Sequence, residues 1–209
     1  MKIIIIDYGA GNVESVSNAI KEIDSQSDII ISNKVVDLKS ANYFILPGVG
    51  AFGDCMEGLK AVDGFLSELR NQILKYKKPF LGICVGMQVL ASSGLENGEH
   101  QGLGFINGKV EKIIGDENLK IPHMGWNSLK IKQPKHPIFK DIKDEENFYF
   151  ANSYHFVCQN DNNVLGYVEY GSKINSIIAK DNIVGAQFHP EKSGEAGLKF
   201  LKNFLAWRP

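Results

Sequence analysis

The sequence has few cysteines, no long apolar run and almost no net charge. Its three cysteines, Cys55, Cys84 and Cys158, are an odd number without paired spacing, which argues against a disulfide framework and against a cysteine-based zinc site. The formal net charge of −1, with no basic stripe, gives no reason to expect nucleic acid as a partner. No apolar run approaches the roughly 20 residues that span a bilayer, so neither a metal site nor a membrane segment is predicted.

The apolar start of the chain, Met1–Ile6, is too short for a signal peptide, and Asp7 and a glycine-rich turn follow it. Unpaired cysteines and the lack of a targeting segment together favour a reducing cytoplasm. The 209 residues suit one domain of ordinary globular size, and no linker, repeat or low-complexity tract divides them. We therefore expect a single domain over residues 1–209.

Short β-branched runs alternate with helical patterns in the first half of the chain. Residues 2–7 read as a strand covered on both faces, and a helical pattern follows them. Residues 29–31 and 43–46 read as the next parallel strands. A long amphipathic helix is predicted from the apolar spacing of Leu59, Val62, Leu66, Leu69 and Ile73. This order predicts an α/β fold with an open, mostly parallel, doubly wound sheet and helices on both faces.

After about residue 102 the pattern changes to short strands separated by turns. They are predicted at residues 108–114, 128–132, 148–150, 164–170, 174–179 and 183–188, and Asp181-Asn182 signals a hairpin between the last two. A helix from Glu195, with Leu198, Leu201 and Leu205 on one face, ends the chain. The second half therefore adds antiparallel strands to the sheet.

Residues 79–88, Pro-Phe-Leu-Gly-Ile-Cys-Val-Gly-Met-Gln, form the most informative segment of the chain. A buried strand runs into a Gly-x-Cys-x-Gly turn, and a helix is predicted over residues 87–91. This is the layout of a nucleophile elbow with cysteine in place of serine. Small residues two positions before and after Cys84 permit a tight turn, and the amide end of a helix favours the thiolate.

A second strand, residues 183–188, leads into His189-Pro190-Glu191. Active sites of open α/β sheets lie at the carboxyl ends of strands, so Cys84, His189 and Glu191 can meet there. These residue types supply a nucleophile, its base and a carboxylate that orients the base. The sequence therefore predicts an enzyme that works through a Cys-His-Glu triad.

Two glycine-rich loops suggest different functions. Residues 7–12, Asp-Tyr-Gly-Ala-Gly-Asn, follow a first strand but lack the third glycine of a dinucleotide fingerprint, because position 14 is Glu. Residues 47–50, Pro-Gly-Val-Gly, are not followed by the Gly-Lys-Ser/Thr of a phosphate-binding loop. The second loop can instead turn a backbone N–H toward an oxyanion that forms at Cys84.

Together, residues 47–50, 82–88 and 188–191 resemble the class I (triad) glutamine amidotransferases. More narrowly, residues 7–12, 122–127 (Pro-His-Met-Gly-Trp-Asn) and 189–194 (His-Pro-Glu-Lys-Ser-Gly) resemble the glutaminase subunits of imidazole glycerol phosphate synthases, from histidine biosynthesis. The resemblance covers essentially the whole chain. It implies hydrolysis of glutamine without a cofactor, and delivery of ammonia to a (β/α)8-barrel synthase subunit in a heterodimer.

The resemblance also implies roles for individual residues. Cys84 forms a γ-glutamyl thioester, His189 transfers the protons and Glu191 orients His189. Oxyanion donors would come from the Val85 amide and from the loop of Gly48 and Gly50, and glutamine would be held by Gly50, Gln88, Ser153 and Tyr154. Positions at or near the partner interface are Asn12, Trp126, Tyr149 and Lys192.

One position departs from the family pattern, and it leaves an alternative open. Asn152 stands where the family usually has histidine before the Ser-Tyr pair. The alternative is a paralogue of the same build that feeds ammonia to a barrel partner modifying a sugar. A thiol hydrolase or isomerase-like relative, and a non-catalytic protein of this fold, are two further classes. The first would not need residues 47–50, Gln88 and His-Pro-Glu together, and the second would be expected to lack one member of the triad.

Overall fold

The computed structural model describes residues 1–115, 117 and 119–209. Its strands are β1 (Lys2–Ile6), β2 (Asp28–Ser32), β3 (Tyr43–Gly48), β4 (Phe80–Cys84), β5 (Ser93–Gly94), β6 (His100–Gln101), β7 (Gly108–Lys112), β8 (His123–Ser128), β9 (Lys130–Ile131), β10 (Asn147–Asn152), β11 (Tyr154–Cys158), β12 (Val164–Tyr170), β13 (Ser172–Lys180) and β14 (Ile183–Ala186). Its α-helices are α1 (Val13–Ile23), α2 (Val35–Ser40), α3 (Phe52–Lys60), α4 (Phe65–Arg70), α5 (Val85–Gln88) and α6 (Gly194–Ala206).

The main sheet has the strand order β2-β1-β3-β4-β14-β13-β12-β9. The strands from β2 to β14 pair in parallel, and β13, β12 and β9 extend the sheet in antiparallel fashion. Ile3–Ile6 of β1 have no exposed surface, as expected for a strand covered on both faces. The predicted fold class, a mostly parallel sheet with antiparallel strands added by the second half, is confirmed.

The helices pack in two groups. Helix α1 contacts α6, whereas α2 and α3 both contact α4. Two groups are what right-handed crossovers require, because the chain moves from β1 to β2 in one direction and from β2 to β3 in the other. Across the described ranges, no helix is both long enough and apolar enough to cross a bilayer.

The prediction of one long helix that carries Leu59 to Ile73 is wrong. The structure has α3 and α4, separated by residues 61–64, and a π-helical turn at Asn71–Lys75 after α4. Gly64 has a φ of +75°, a left-handed conformation that interrupts the helix and starts α4 in a new direction. The apolar spacing persists across the break because α3 and α4 bury Leu59 and Leu69 in the same core.

Other boundaries also differ from the prediction. The elbow helix α5 begins at Val85 and ends at Gln88, whereas the sequence predicted residues 87–91. Strands β8 and β11 and helix α2 were not predicted. The sequence of β8, His-Met-Gly-Trp-Asn-Ser, is rich in polar residues and glycine, so neither its composition nor its apolar spacing predicts a strand. It is a strand because it pairs with β10 in a separate two-stranded sheet.

Asn182 connects the two strands that lead to the predicted triad. It lies in the turn between β13 and β14, its side chain is buried, and its Nδ2 donates to the carbonyls of Ile73 (3.0 Å) and Lys78 (2.7 Å). Its own carbonyl accepts from the amide of Phe80, the first residue of β4. One side chain and one peptide therefore fix the start of β14 against the start of β4.

We predict that Asn182→Ala lowers the free energy of unfolding by about 1–3 kcal/mol, because two buried carbonyls lose their donor. Chemical denaturation of the purified chain measures this change. Asn162→Ala, which alters an exposed asparagine near the end of the sheet, is the matched control and should stay within about 0.5 kcal/mol of the unchanged protein. Equal stability of the two variants would contradict the bracing role of Asn182.

Candidate active site

Cys84 is the last residue of β4 and stands at a sharp turn. Its φ of 54° lies in the left-handed region, which is unusual for a residue with a side chain. Two glycines make this turn possible. A Cβ on Gly82 would lie 2.3 Å from the Gly86 carbonyl oxygen, and one on Gly86 would lie 1.8 Å from that of Leu46. The turn therefore has the tight backbone that the Gly-x-Cys-x-Gly motif predicts.

His189 and Glu191 follow β14, the strand next to β4. The His189 amide donates to the Tyr149 carbonyl (2.9 Å), and the Ser193 hydroxyl donates to the His189 carbonyl (2.7 Å). Pro190 starts a short helical turn that brings Glu191 back beneath the imidazole. His189 Nδ1 then lies 2.9 Å from Glu191 Oε1, with both side chains almost fully buried. Because a carboxylate only accepts, the proton of this hydrogen bond is on Nδ1.

The charge state of His189 is set by opposing effects. Burial lowers its pKa, but interactions with Cys84 and then with Glu191 raise it more, to about 9. The imidazolium form of His189 is therefore favoured at neutral pH, because its interactions with Cys84 and Glu191 outweigh the cost of burying its charge. A proton stored on His189 beside the cysteine sulfur is the arrangement that acyl transfer through a thiolate needs.

Gln187 is a site residue that the sequence analysis missed. It has no exposed surface, and its Nε2 lies 3.7 Å from the Cys84 sulfur. Its Oε1 accepts from Gln88 Nε2 (3.0 Å), which also donates to the Tyr154 carbonyl (3.0 Å). The available signal was an amide residue between Ala186 and Phe188 in an otherwise apolar strand run. Gln187 therefore links the sulfur to Gln88 through one buried network.

A cavity of about 240 Å³ opens over Cys84. Its lining contains the nucleophile Cys84 and five residues predicted to bind glutamine or the oxyanion, which are Gly50, Val85, Gln88, Ser153 and Tyr154. The other residues of the lining are Glu96, Pro122, Met124, Ala151 and Asn152. Gly48 lies beside this cavity rather than in its wall. It pairs with Cys84 in the parallel register of β3 and β4, where a Cβ would lie 2.5 Å from the Gly86 amide nitrogen.

Asn152, which replaces the family's usual histidine, lies in the wall of this cavity. Its Nδ2 donates to the Tyr154 carbonyl (3.0 Å) and its side chain is 5% exposed. In the antiparallel pairing of β8 and β10 it stands opposite His123, whose pKa is lowered by burial to about 4. The substitution therefore leaves one neutral imidazole, rather than two imidazoles, at this point of the sheet.

Three of the four residues predicted at a partner interface lie together on the surface. Trp126 is 59% exposed and meets Tyr149 edge to face, with ring centroids 6.0 Å apart. The Lys192 ammonium lies 5.9 Å from the centre of the same Tyr149 ring. The fourth residue, Asn12, has its Nδ2 3.4 Å from Oε1 of Glu191, which precedes Lys192 in the chain. It therefore contacts the triad carboxylate directly.

The described part of the chain offers no group of three or more His, Cys, Asp or Glu side chains that could hold a metal ion. A sulfur nucleophile, an imidazolium held by a carboxylate and a small polar cavity together suit acyl transfer from an amide substrate.

Comparison with known proteins agrees with this geometry. The family model for glutamine amidotransferase class-I matches residues 4–207. The imidazole glycerol phosphate synthase subunit HisH of Rhodospirillum rubrum is 44% identical over 214 residues, covering 100% of both chains. The protein of the same name from Zymomonas mobilis is 42% identical over 99% of this chain and 96% of its own.

Solved structures show the same fold at low sequence identity. The structure of PurLQS from Thermotoga maritima has a TM-score of 0.73 at 20% identity, covering 98% of this chain and 97% of its own. A crystal structure of a glutamine amidotransferase also gives a TM-score of 0.73, at 16% identity and with 97% and 98% coverage. With a family model and close relatives that span its length, the chain belongs to the class I glutamine amidotransferases, within the group of HisH subunits.

Proposed function

We propose that this chain hydrolyses glutamine to glutamate and ammonia through Cys84, His189 and Glu191. We further propose that it delivers the ammonia to a (β/α)8-barrel synthase subunit, which makes imidazole glycerol phosphate and AICAR in histidine biosynthesis. The hydrogen bond of Glu191 with His189, and the interaction of the His189 imidazolium with Cys84, which lies in the wall of the cavity, support the chemistry. The name shared by the full-length relatives supports the pathway, and favours it over the sugar-modifying paralogue.

The proposed reaction has two steps, formation of a thioester on Cys84 and its hydrolysis. The Cys84 sulfur attacks the side-chain amide carbon of glutamine, and His189 gives its proton to the nitrogen that leaves as ammonia. A water molecule then attacks the resulting γ-glutamyl thioester, loses a proton to His189, and the C–S bond breaks to release glutamate. The amides of Val85 and of the Gly48–Gly50 loop would stabilise the oxyanion in both steps.

The substrate is positioned by the remaining cavity residues. Gln88, Ser153 and Tyr154 line the cavity beside Cys84, where they can hold the amino-acid end of glutamine. Asn12, Trp126, Tyr149 and Lys192 would face the barrel subunit. We place the reaction in a reducing cytoplasm, because Cys55, Cys84 and Cys158 are all free thiols and the mechanism needs one of them reduced.

We predict that Cys84→Ala lowers glutamine-dependent activity of the heterodimer by about 10⁴–10⁶-fold, because members of a triad act as a unit. With free ammonia instead of glutamine, the same variant should form product at the rate of the unchanged complex. Glutamate release and product formation are measured in parallel. Cys158→Ala, which removes a thiol outside the cavity, is the control. Substantial glutaminase activity in Cys84→Ala would refute the assignment of the nucleophile.

We predict that kcat/KM for glutamine falls as pH rises through about 9, because deprotonated His189 has no proton for the leaving ammonia. Glu191→Gln keeps an acceptor oxygen for Nδ1 but removes a negative charge that raises the pKa of His189. The alkaline limb should therefore move to lower pH, with a smaller loss of rate than in His189→Ala.

The measurement is the pH dependence of glutamate release from about pH 6 to 10. Glu195→Gln is the matched control, since that carboxylate is exposed and pairs with Lys199. An alkaline limb at the same pH in the Glu191→Gln complex would show that another group controls it.

We infer that the free chain is a poor glutaminase, and that the barrel partner with its acceptor ligand raises turnover by about 10²–10³-fold. Loss of one oxyanion donor changes the rate of such enzymes by about this factor. Rotation of a peptide in the Gly48–Gly50 loop can supply the missing N–H donor. Gly50 has a φ of +83°, with open space where a Cβ would be. A β-branched residue there would be strained by the backbone conformation rather than by a clash.

We therefore expect Gly50→Val to remove most of the stimulation by the partner. Gly104→Val is the matched control, because Gly104 also has a positive φ (+66°) and open space but lies outside the cavity. Glutamate release with and without partner and acceptor ligand gives the stimulation factor. A free chain as fast as the liganded complex would disprove the gated loop and leave the triad chemistry intact.

A further inference from the structure

Tyr8 makes two hydrogen bonds to one residue of the loop beside Cys84. Its hydroxyl accepts from the Val49 amide (3.0 Å) and donates to the Val49 carbonyl (3.1 Å). These two groups belong to successive peptide units, Gly48–Val49 and Val49–Gly50. One phenol therefore fixes the orientation of both peptides in the segment that is expected to rotate.

The position of the Tyr8 side chain is itself fixed by helix α3. A Cβ on Gly58 would lie 2.5 Å from the Tyr8 carbonyl oxygen and 2.9 Å from its ring, so the helix packs closely against this residue. Cys55, one turn earlier on α3, is also buried. Burial, together with the nearby Cys55, raises the pKa of Tyr8 above its usual value. The phenol is therefore neutral at physiological pH and can donate as well as accept.

The two peptides that Tyr8 holds lie next to the reacting sulfur. Gly48 stands beside Cys84 in the register of β3 and β4, and Gly50 lines the cavity over Cys84. The Val49 N–H between them is directed to the Tyr8 oxygen. While that bond exists, this amide is not directed at an oxyanion on the carbon attached to Cys84.

The segment that contains Tyr8, residues 7–12, contacts the active site at two further points. A Cβ on Gly11 would lie 3.1 Å from the Pro47 carbonyl oxygen, so the two backbones are close there. Asn12 Nδ2 lies 3.4 Å from Glu191 Oε1. These contacts connect the end of β1 to the oxyanion loop and to the triad carboxylate.

We propose that Tyr8 is a positioning residue that holds the Val49 peptide in a resting orientation, and that full glutaminase activity requires its hydroxyl to release that peptide. The proposal rests on the proposed function and adds the group that keeps the loop inactive. Glycines at 48 and 50 make rotation sterically easy, so they do not by themselves define a resting state. The two hydrogen bonds of Tyr8 supply the preference for one.

The test is Tyr8→Phe in the heterodimer, assayed for glutamate release without and with acceptor ligand. Losing the hydroxyl removes the preference for the resting orientation, so kcat without acceptor ligand should rise. We expect a rise of about 3- to 10-fold, which is the rate ratio that corresponds to the net free energy of one hydrogen bond. The KM for glutamine should stay within about twofold, since Tyr8 does not line the cavity. The rate with acceptor ligand should not change, so the stimulation factor falls.

Tyr43→Phe is the matched control. Tyr43 also donates its hydroxyl to a backbone carbonyl, that of Trp207 (3.0 Å), in a buried contact at the start of β3. Its loss should lower stability without changing either rate. As a second measurement, hydrogen exchange of the Val49 amide in the free chain should accelerate in Tyr8→Phe and not in Tyr43→Phe.

The outcomes distinguish failure of the role of Tyr8 from failure of the proposed glutaminase function. An unchanged or lower basal kcat in Tyr8→Phe, with ammonia-dependent synthesis intact, would overturn the resting-state role of Tyr8. A change confined to KM would also overturn it, because it would place Tyr8 in substrate binding. If the unchanged heterodimer released no glutamate from glutamine at all, the proposed function itself would fail instead.

Discussion

Parallel pairing of β4 with β14 is the constraint on which the rest of the site depends. Phe80 stands beside Ile183 and Ile83 beside Ala186, so the two strands end at the same level of the sheet. The residues that follow them therefore share one edge, and Cys84 and His189 interact although they are far apart in sequence. Pairing of β3 on the other side of β4 adds Gly48 beside Cys84. Neighbouring strands thus carry the proposed nucleophile, its proposed base and the loop proposed to hold the oxyanion.

The same pairing puts a strained backbone at the nucleophile. A positive φ at Cys84 costs about 1–3 kcal/mol, and the surrounding structure must hold it in place. Close packing of the backbone around Cys84 holds the turn. The backbone carbonyls of Gly86 and Leu46 occupy the space where Cβ atoms on Gly82 and Gly86 would be. The elbow is therefore possible only where strand, turn and helix approach this closely, which explains why both glycines belong to the motif and not merely to a flexible turn.

The sequence predicted the architecture well because apolar runs and turn residues report burial and chain reversal, the two properties that determine this sheet. It placed Cys84 and His189 at the ends of two strands, because turn residues mark where those strands stop. The other site residues came from the family resemblance, and their roles stay predictions. It failed where tertiary contact decides. Gly64 breaks a helix whose apolar spacing is continuous, and β8 has no strand-like composition of its own. The contacts of Gln187 and Tyr8 were also missed, because a hydrogen bond between distant residues leaves no periodic trace.

The charges at the site indicate which group can keep the proposed glutaminase activity low. His189 already favours its imidazolium form through Cys84 and Glu191, so the proton for the leaving group is present without a partner. Gln88 and Gln187 are likewise held in one buried network. The proposed resting state therefore needs neither a missing proton nor a displaced nucleophile. What the structure leaves incomplete is backbone donation at the loop, where the Val49 amide is directed to Tyr8. Rotation at Val49 would release the two hydrogen bonds to Tyr8 and leave the triad undisturbed. In the proposed resting state the nucleophile therefore stays ready, and glutamine is hydrolysed slowly until the partner is in place.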